Sequence, residues 1–203
     1  MFYTTQSNDH GLAYDPFKAL VAPRPIGWIG TTGPDGTDNL APYSFFNAVC
    51  DRPKMVMFSS DGAKDSVTNI EASGEFTASL ASRHLAEPMN LSSVDAPSHQ
   101  DEFAYAGLTA KRGTLVAAPF VGEAFAALEC KAVGIFRPTT LEGTPAGYIM
   151  VIGQVVGIHI DPAVVTAAGR IDMQKAAPLA RLGYRDYCDG ATVFEMVRPK
   201  WSG

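Results

Sequence analysis

The sequence runs to 203 residues, 46% hydrophobic and only 18% charged, with a net charge of −5. That length supports a single domain with a substantial core, and the low charged fraction points to much buried surface, an oligomer interface included. No Lys/Arg block gives nucleic acid an electrostatic footprint. Three widely spaced cysteines without a CxxC argue against a disulfide framework or a zinc site.

The opening MFYTTQSNDHG lacks the basic and apolar regions of a signal peptide. No apolar stretch approaches the ~20 residues of a membrane helix. A cytoplasmic protein without membrane contact is expected.

Residues 1–22 are a mixed lead-in, with Phe17, Leu20 and Val21 free to dock on the core. Pro23 and Pro25 bracket Arg24 and favour extended backbone. A strand follows over residues 26–32, where Trp28, Ile29 and the threonines suit a pleated surface. Gly33-Pro34-Asp35-Gly36 is a turn, and a return strand over 37–41 completes a hairpin. Pro42 is expected to end it. The aromatic cluster Tyr43-Ser44-Phe45-Phe46-Asn47 comes next, and Asp51-Arg52-Pro53 is a second breaker. Residues 55–60 read as a strand covered on both faces, since apolar residues run without alternation.

Asp65 is the expected N-cap of a helix reaching about Ala72, with Gly74 as its stop. A strand over 75–81 follows. After a Ser-, Pro- and Asp-rich stretch comes a helix over about 100–106, with Ser98 and Asp101 as a capping pair and Gly107 as its close. The longest strands are expected over 128–136 and 148–160, with Gly153 and Gly157 marking bulges or bends in the second. A short helix near 175–182 and a last strand over 192–197 complete the pattern. Hairpins outnumber βαβ units. The expected fold is mainly β with helical insertions, a mostly antiparallel barrel.

Two segments can carry chemistry. In SSDGAKDS (residues 59–66), a helix start offers free N–H groups and a partial positive charge. Lys64 adds a full charge there, and Ser59, Ser60 and Ser66 add hydroxyls; taken alone, the segment reads equally as a capped helix after a solvated loop, with Lys64 in water. In APYSFFN (41–47), an irregular bend sets Ser44 and Asn47, which offer hydrogen bonds, beside Phe45 and Phe46, whose side chains read first as core and otherwise as borders of a flat ring. Thr31 and Thr32 end the first strand near these segments. A phosphate needs N–H groups, hydroxyls and a cation; a flat ring needs a slot with polar atoms along one edge. Flavin mononucleotide (FMN) makes both demands. Arg24 is placed to meet a phosphate or a subunit carboxylate, with a surface ion pair as an equal alternative, and Arg181 is open in the same way. The four histidines are scattered, which disfavours a metal centre; His159 reads as a satisfied structural histidine, with a role near a nicotinamide site as the alternative. GxSxG, GxGxxG and Walker A motifs are absent.

RPIGWIGTTGPDGTDNLAPYSFFN, DRPKMVMFSS and KDSVTNIEASGEF together resemble flavin reductase-like proteins of the FMN-binding split-barrel superfamily. DEFAYAGL, ALECKAVGIF, IGQVVGIHID and ARLGYRDY follow in the family's order, so the resemblance spans roughly residues 15–190. It implies an FMN-binding split β-barrel with the cofactor at a homodimer interface. It implies FMN contacts from Thr31 and Thr32, from Ser44, Phe45, Phe46 and Asn47, from Ser59 and Ser60, and from Lys64, Asp65 and Ser66. Arg24 and Arg181 match arginines of the pattern. Ser66 stands where the family's threonine is expected and keeps the hydroxyl. The implied activity is NADH- or NADPH-dependent flavin reduction, with hydride passing from nicotinamide to flavin N5. A monooxygenase or redox-protein partner is implied in some members. The alternatives are an electron carrier served by a protein partner, and a non-catalytic flavin-binding protein.

Overall fold

The computed structural model describes residues 1–201. Helix α1 (Phe17–Leu20) leads through β1 (Arg24–Pro25) into β2 (Gly27–Thr32). The expected Gly33–Gly36 turn returns the chain along β3 (Asp38–Tyr43), with Gly36 at φ 87°. Next come β4 (Phe46–Asp51), β5 (Lys54–Asp61), α2 (Asp65–Ser73) and β6 (Glu75–Leu80). Helices α3 (Ala86–Leu91) and α4 (Glu102–Tyr105) precede a small hairpin of β7 (Ala110–Arg112) and β8 (Pro119–Val121). The long strands β9 (Ala126–Phe136) and β10 (Tyr148–Ile160) follow. The chain then forms α5 (Met173–Ala176), β11 (Ala180–Arg181) and β12 (Tyr187–Cys188).

Seven strands form one antiparallel sheet in the order β3-β2-β6-β9-β10-β5-β4. β3 and β4 are consecutive in the chain yet sit at opposite edges of that sheet. Only Ser44 and Phe45 join them, and two residues cannot bridge a flat seven-stranded sheet at ~3.5 Å per residue. The sheet must therefore curl until its edges meet at this bend, giving a half-barrel. The bend is pinned by the Ser59 amide donating to the Phe45 carbonyl (2.8 Å).

Inside the curl, Ile29, Phe58, Phe76 and Val151 pack with Val67 and Ile70 of α2. On the other side of β2, Trp28 and Leu40 pack with Met89, Phe103 and Leu179 beneath α3 and α4. Trp28 Nε1 donates to Ser92 Oγ (2.8 Å), which satisfies the one polar atom of that buried ring. Gly153 lets β10 cross the barrel interior: a Cβ there would lie 2.4 Å from the Phe76 ring. Its ladder shifts register between Ile152 and Gly153 and between Val155 and Gly157, as the two glycines imply.

Several expectations are corrected. β3 runs through Pro42 to Tyr43, because an edge strand tolerates a missing N–H. β5 alternates instead of being covered on both faces: Val56, Phe58 and Ser60 are buried, while Met55, Met57 and Ser59 are half-exposed. The N-cap position of α2 falls at Lys64, one residue earlier than expected and without a side-chain cap, and Gly74 closes the helix at φ 72°. The helix over 100–106 shortens to α4, with Asp101 alone accepting from the Phe103 and Ala104 amides. The helix over 175–182 is broken by Pro178; α5 ends at Ala176, and Ala180–Arg181 pairs with β1 instead. No strand forms over 192–197.

Candidate functional site

A groove follows the line where the curled sheet meets itself. Its first segment, about 280 Å³, lies beside the start of α2 and is lined by Asn39, Tyr43, Lys64, Asp65, Ser66 and Glu102. Its middle, about 240 Å³, is bounded by Tyr43, Ser44, Phe45, Ser59, Lys64 and Tyr148. Its far end widens to about 710 Å³ around Lys18, Arg24, Ser44, Arg181 and Tyr184. Tyr43 and Lys64 border the first two segments, and Lys18 and Ser44 border the last two, so the three are continuous. Another cleft, about 610 Å³, shares none of these residues; its cation, Arg83, already faces Asp189 (3.9 Å).

The first segment brings the start of α2, Lys64 and Ser66 together with the carboxylates of Asp65, Asp95 and Glu102. Lys64 makes no side-chain cap; the Val67 amide donates to the Lys64 carbonyl, and the Asp65 and Ser66 amides keep their N–H groups free at the positive end of the helix. Ser66 is buried, and its Oγ accepts from Asn39 Nδ2 (3.0 Å), leaving the hydroxyl proton free to donate. Lys64 Nζ lies 3.4 Å from Asp95 Oδ1 with its side chain about half exposed. Such an exposed pair is weak and exchangeable. In the middle segment the Phe45 and Tyr148 rings stand 6.0 Å apart, and the Tyr43 hydroxyl is buried without a hydrogen-bond partner.

Of the residues expected from the sequence, Arg24, Ser44, Phe45, Ser59, Lys64, Asp65, Ser66 and Arg181 line this groove. The others do not. Thr31 is fully buried, accepting from both Asn39 Nδ2 and Asn69 Nδ2 (3.1 Å each), so it braces the residues behind Ser66. Thr32 donates to Asp38 (3.0 Å), which Arg112 also binds through both oxygens. Phe46 is core, tight against β2: a Cβ at Gly27 would lie 2.3 Å from its ring. Asn47 is exposed and closes on the Ala48 amide. Ser60 points into the barrel, because it follows Ser59 in the pleat. His159 is bonded to Glu129 (2.5 Å) and stacked on Phe120 (4.3 Å between centroids).

Lys18, Tyr43, Tyr148, Asp95 and Glu102 also line the groove, and the sequence reading did not select them. Tyr43 sits within a cluster already singled out. The others come from segments whose approach depends on the curl.

Glu102 is buried and accepts from the Leu40 amide (3.0 Å). Burial raises its pKa above the ordinary 4.5; the Leu40 bond opposes this, and the charges of Asp65 and Asp101 reinforce it. A folded-state pKa above the unfolded one gives stability that is full below about pH 4.5 and is lost as pH rises through the folded value. Glu102→Gln keeps an oxygen for Leu40 and removes the charge. The expected result is a higher Tm than wild type at pH 8, with the difference closing below pH 4.5. Thermal melts across that range check it.

The model of the family described as "Flavin reductase like domain" matches residues 20–180. An uncharacterized protein of Deinococcus radiodurans is 40% identical over 197 residues, covering 91% of this chain and 84% of its own. Among solved structures, nitrilotriacetate monooxygenase component B from Bacillus cereus superposes with a TM-score of 0.88 at 25% identity, covering 97% of this chain and 98% of its own. A split-barrel-domain protein from Shewanella frigidimarina gives 0.80 at 21% identity, with both chains fully covered.

Proposed function

The chain belongs to the flavin reductase like domain family, and from that premise we propose that it binds FMN in this groove and acts as an NAD(P)H-dependent flavin reductase. The observation that carries the reading is the uncapped start of α2, where Lys64 and the Ser66 hydroxyl meet at one end of the groove. That donor set fits a phosphate. The middle of the groove, walled by the Phe45 and Tyr148 pair, forms a slot that fits a flat ring, and Ser44 and Ser59 supply polar atoms along its edge.

When bound, FMN would supply the hydride-accepting ring. The chain's own task is then to hold the phosphate, to orient the ring and to keep one face of the slot open to a nicotinamide. Similarity to a monooxygenase component B favours delivery of reduced flavin to a separate monooxygenase. We place the protein in the cytoplasm as a single domain that forms a homodimer. The half-exposed Val133, Phe136 and Ile158 on β9 and β10 favour a partner copy.

Freshly purified protein is expected to show a flavin absorption spectrum that bleaches on anaerobic addition of NADH, and to sediment as a dimer. A colourless protein that also fails to bind added FMN would overturn the reading. FMN that binds tightly but resists NAD(P)H would move it to an electron carrier or a flavin-binding protein.

A further inference from the structure

The wide end of the groove holds a cationic cluster that a single FMN phosphate at Lys64 leaves unanswered. Arg24 on β1 and Arg181 on β11 are direct cross-strand partners. Like charges facing each other across a ladder destabilise it. Arg24 is 7% exposed. Its terminal nitrogens donate to the carbonyls of Lys18, Val21 and Leu182, and its Nε is buried without a partner. Arg181 donates to the Tyr184 carbonyl and the Tyr187 hydroxyl. All these acceptors are neutral. Among the described residues, no carboxylate lies within 4 Å of Arg24, Arg181 or Lys18. Asp15 borders the chamber, but its Oδ1 accepts from the Phe17 amide instead.

This arrangement is costly without an anion, because a buried charge needs a charged partner. Both burial and the Arg181 charge push the Arg24 pKa down. The cluster faces a chamber of about 710 Å³, a volume suited to a small molecule rather than one ring edge. The lead-in residues Tyr3, Thr5 and Asn8 form part of its wall. That wall is tied to the Arg181 turn, since the Tyr14 and Tyr184 rings stand 5.6 Å apart. Gly183 sets the chamber's shape: a Cβ there would lie 2.4 Å from Ala19 Cβ, so α1 packs directly on the turn. Phe45 links chamber to slot, with the Arg24 guanidinium 5.9 Å and Lys18 Nζ 6.0 Å from its ring centroid.

We infer that Arg24, Arg181 and Lys18 form a second anion station, which holds the phosphate or carboxylate of the substrate that exchanges electrons with the flavin. FMN has one phosphate, and the α2 end of the groove is fitted to it. The far station therefore selects the second substrate and places its reactive part over the slot. The assignment rests on the groove being the FMN site; the station's need for an anion does not.

The test uses two probes, pyrophosphate for a phosphate-bearing substrate and benzoate for a carboxylate. Each is titrated calorimetrically into wild type, Arg181→Gln and Lys18→Gln, with and without saturating FMN. Lys18 is exposed and carries no side-chain hydrogen bond to the fold, so Lys18→Gln remains informative if Arg181→Gln folds poorly. At least one probe is expected to bind wild type in both states, and to weaken about tenfold in each variant, as loss of one charge-assisted contact implies. The FMN Kd of Arg181→Gln, a residue that borders only the wide chamber, should stay within about twofold. Which probe binds identifies the anion class. Failure of both probes, or equal binding in the variants, overturns the station. So does a large loss of FMN affinity in Arg181→Gln, since the cluster would then hold the cofactor's phosphate. If wild type binds no FMN but a probe binds and responds to the variants, the flavin reading fails and the station stands.

Discussion

Lys64→Ala is expected to weaken FMN about ten- to hundredfold while riboflavin binding changes little. Riboflavin has the same ring and ribityl chain and lacks only the phosphate, so the comparison isolates the charge. A hydrogen bond to a charged group contributes about 1.5–3 kcal/mol, which is roughly one to two decades in Kd. Lys64 is half exposed, which argues for the lower part of that range. The substitution should leave the fold intact. The present partner of Lys64 is Asp95, at 3.4 Å and almost wholly exposed, and such a pair adds little to stability. The Lys64 carbonyl still accepts from the Val67 and Thr68 amides, so α2 keeps its first hydrogen bonds. Fluorescence titration with both flavins checks the outcome. Equal weakening of the two would remove the phosphate from this end of the groove.

What the sequence made legible is what local chemistry decides. The turn at residues 33–36, the left-handed Gly74 and the bulges at Gly153 and Gly157 all follow from single residues whose backbone freedom is diagnostic. The phosphate-type segment was legible for the same reason, because a lysine, hydroxyls and a helix start lie within eight positions. Its ring-side partner was only half legible. Ser59 reaches the groove and Ser60 does not, a matter of strand parity, and MVMFSS carries no alternation from which parity can be read. Thr31 shows the same limit: its hydroxyl turns inward to two asparagines, and that is decided by which face of β2 meets α2. Lys18 and Tyr148 come from far along the chain and meet Phe45 only because the sheet curls. The misread helix near residue 178 is different. Pro178, a breaker visible in the sequence itself, ends it after Ala176.

Glu129→Gln is expected to be the most destabilising conservative change in the chain, despite conserving volume. Glu129 is 1% exposed on β9. Its Oε1 accepts from the Thr114 amide (2.8 Å) and His159 Nε2 (2.5 Å). Its Oε2 accepts from the amides of Leu115 (2.5 Å) and Val116 (3.0 Å). Each oxygen thus meets two donors, and a carboxylate satisfies all four. A glutamine offers one oxygen and one NH₂, so one orientation sets its NH₂ against the Leu115 and Val116 amides and the other against the Thr114 amide, whichever tautomer His159 adopts. Breaking a buried charged network by removing one partner costs about 3–5 kcal/mol. The loss should be felt where residues 113–116 dock, since a single side chain collects three successive amides there. The pH dependence has a fixed sign. Burial alone would raise the Glu129 pKa, but the Thr114 and Leu115 amides, His159 and the Val116 amide outweigh it, and the net shift is downward. A depressed folded-state pKa means that this stability is present above about 4.5 and is lost as pH falls through the folded value. Wild type should therefore lose Tm on acidification, and Glu129→Gln, already low, should lose less. A variant that melts with wild type at pH 7 would show that the 113–116 segment is held by something other than this carboxylate.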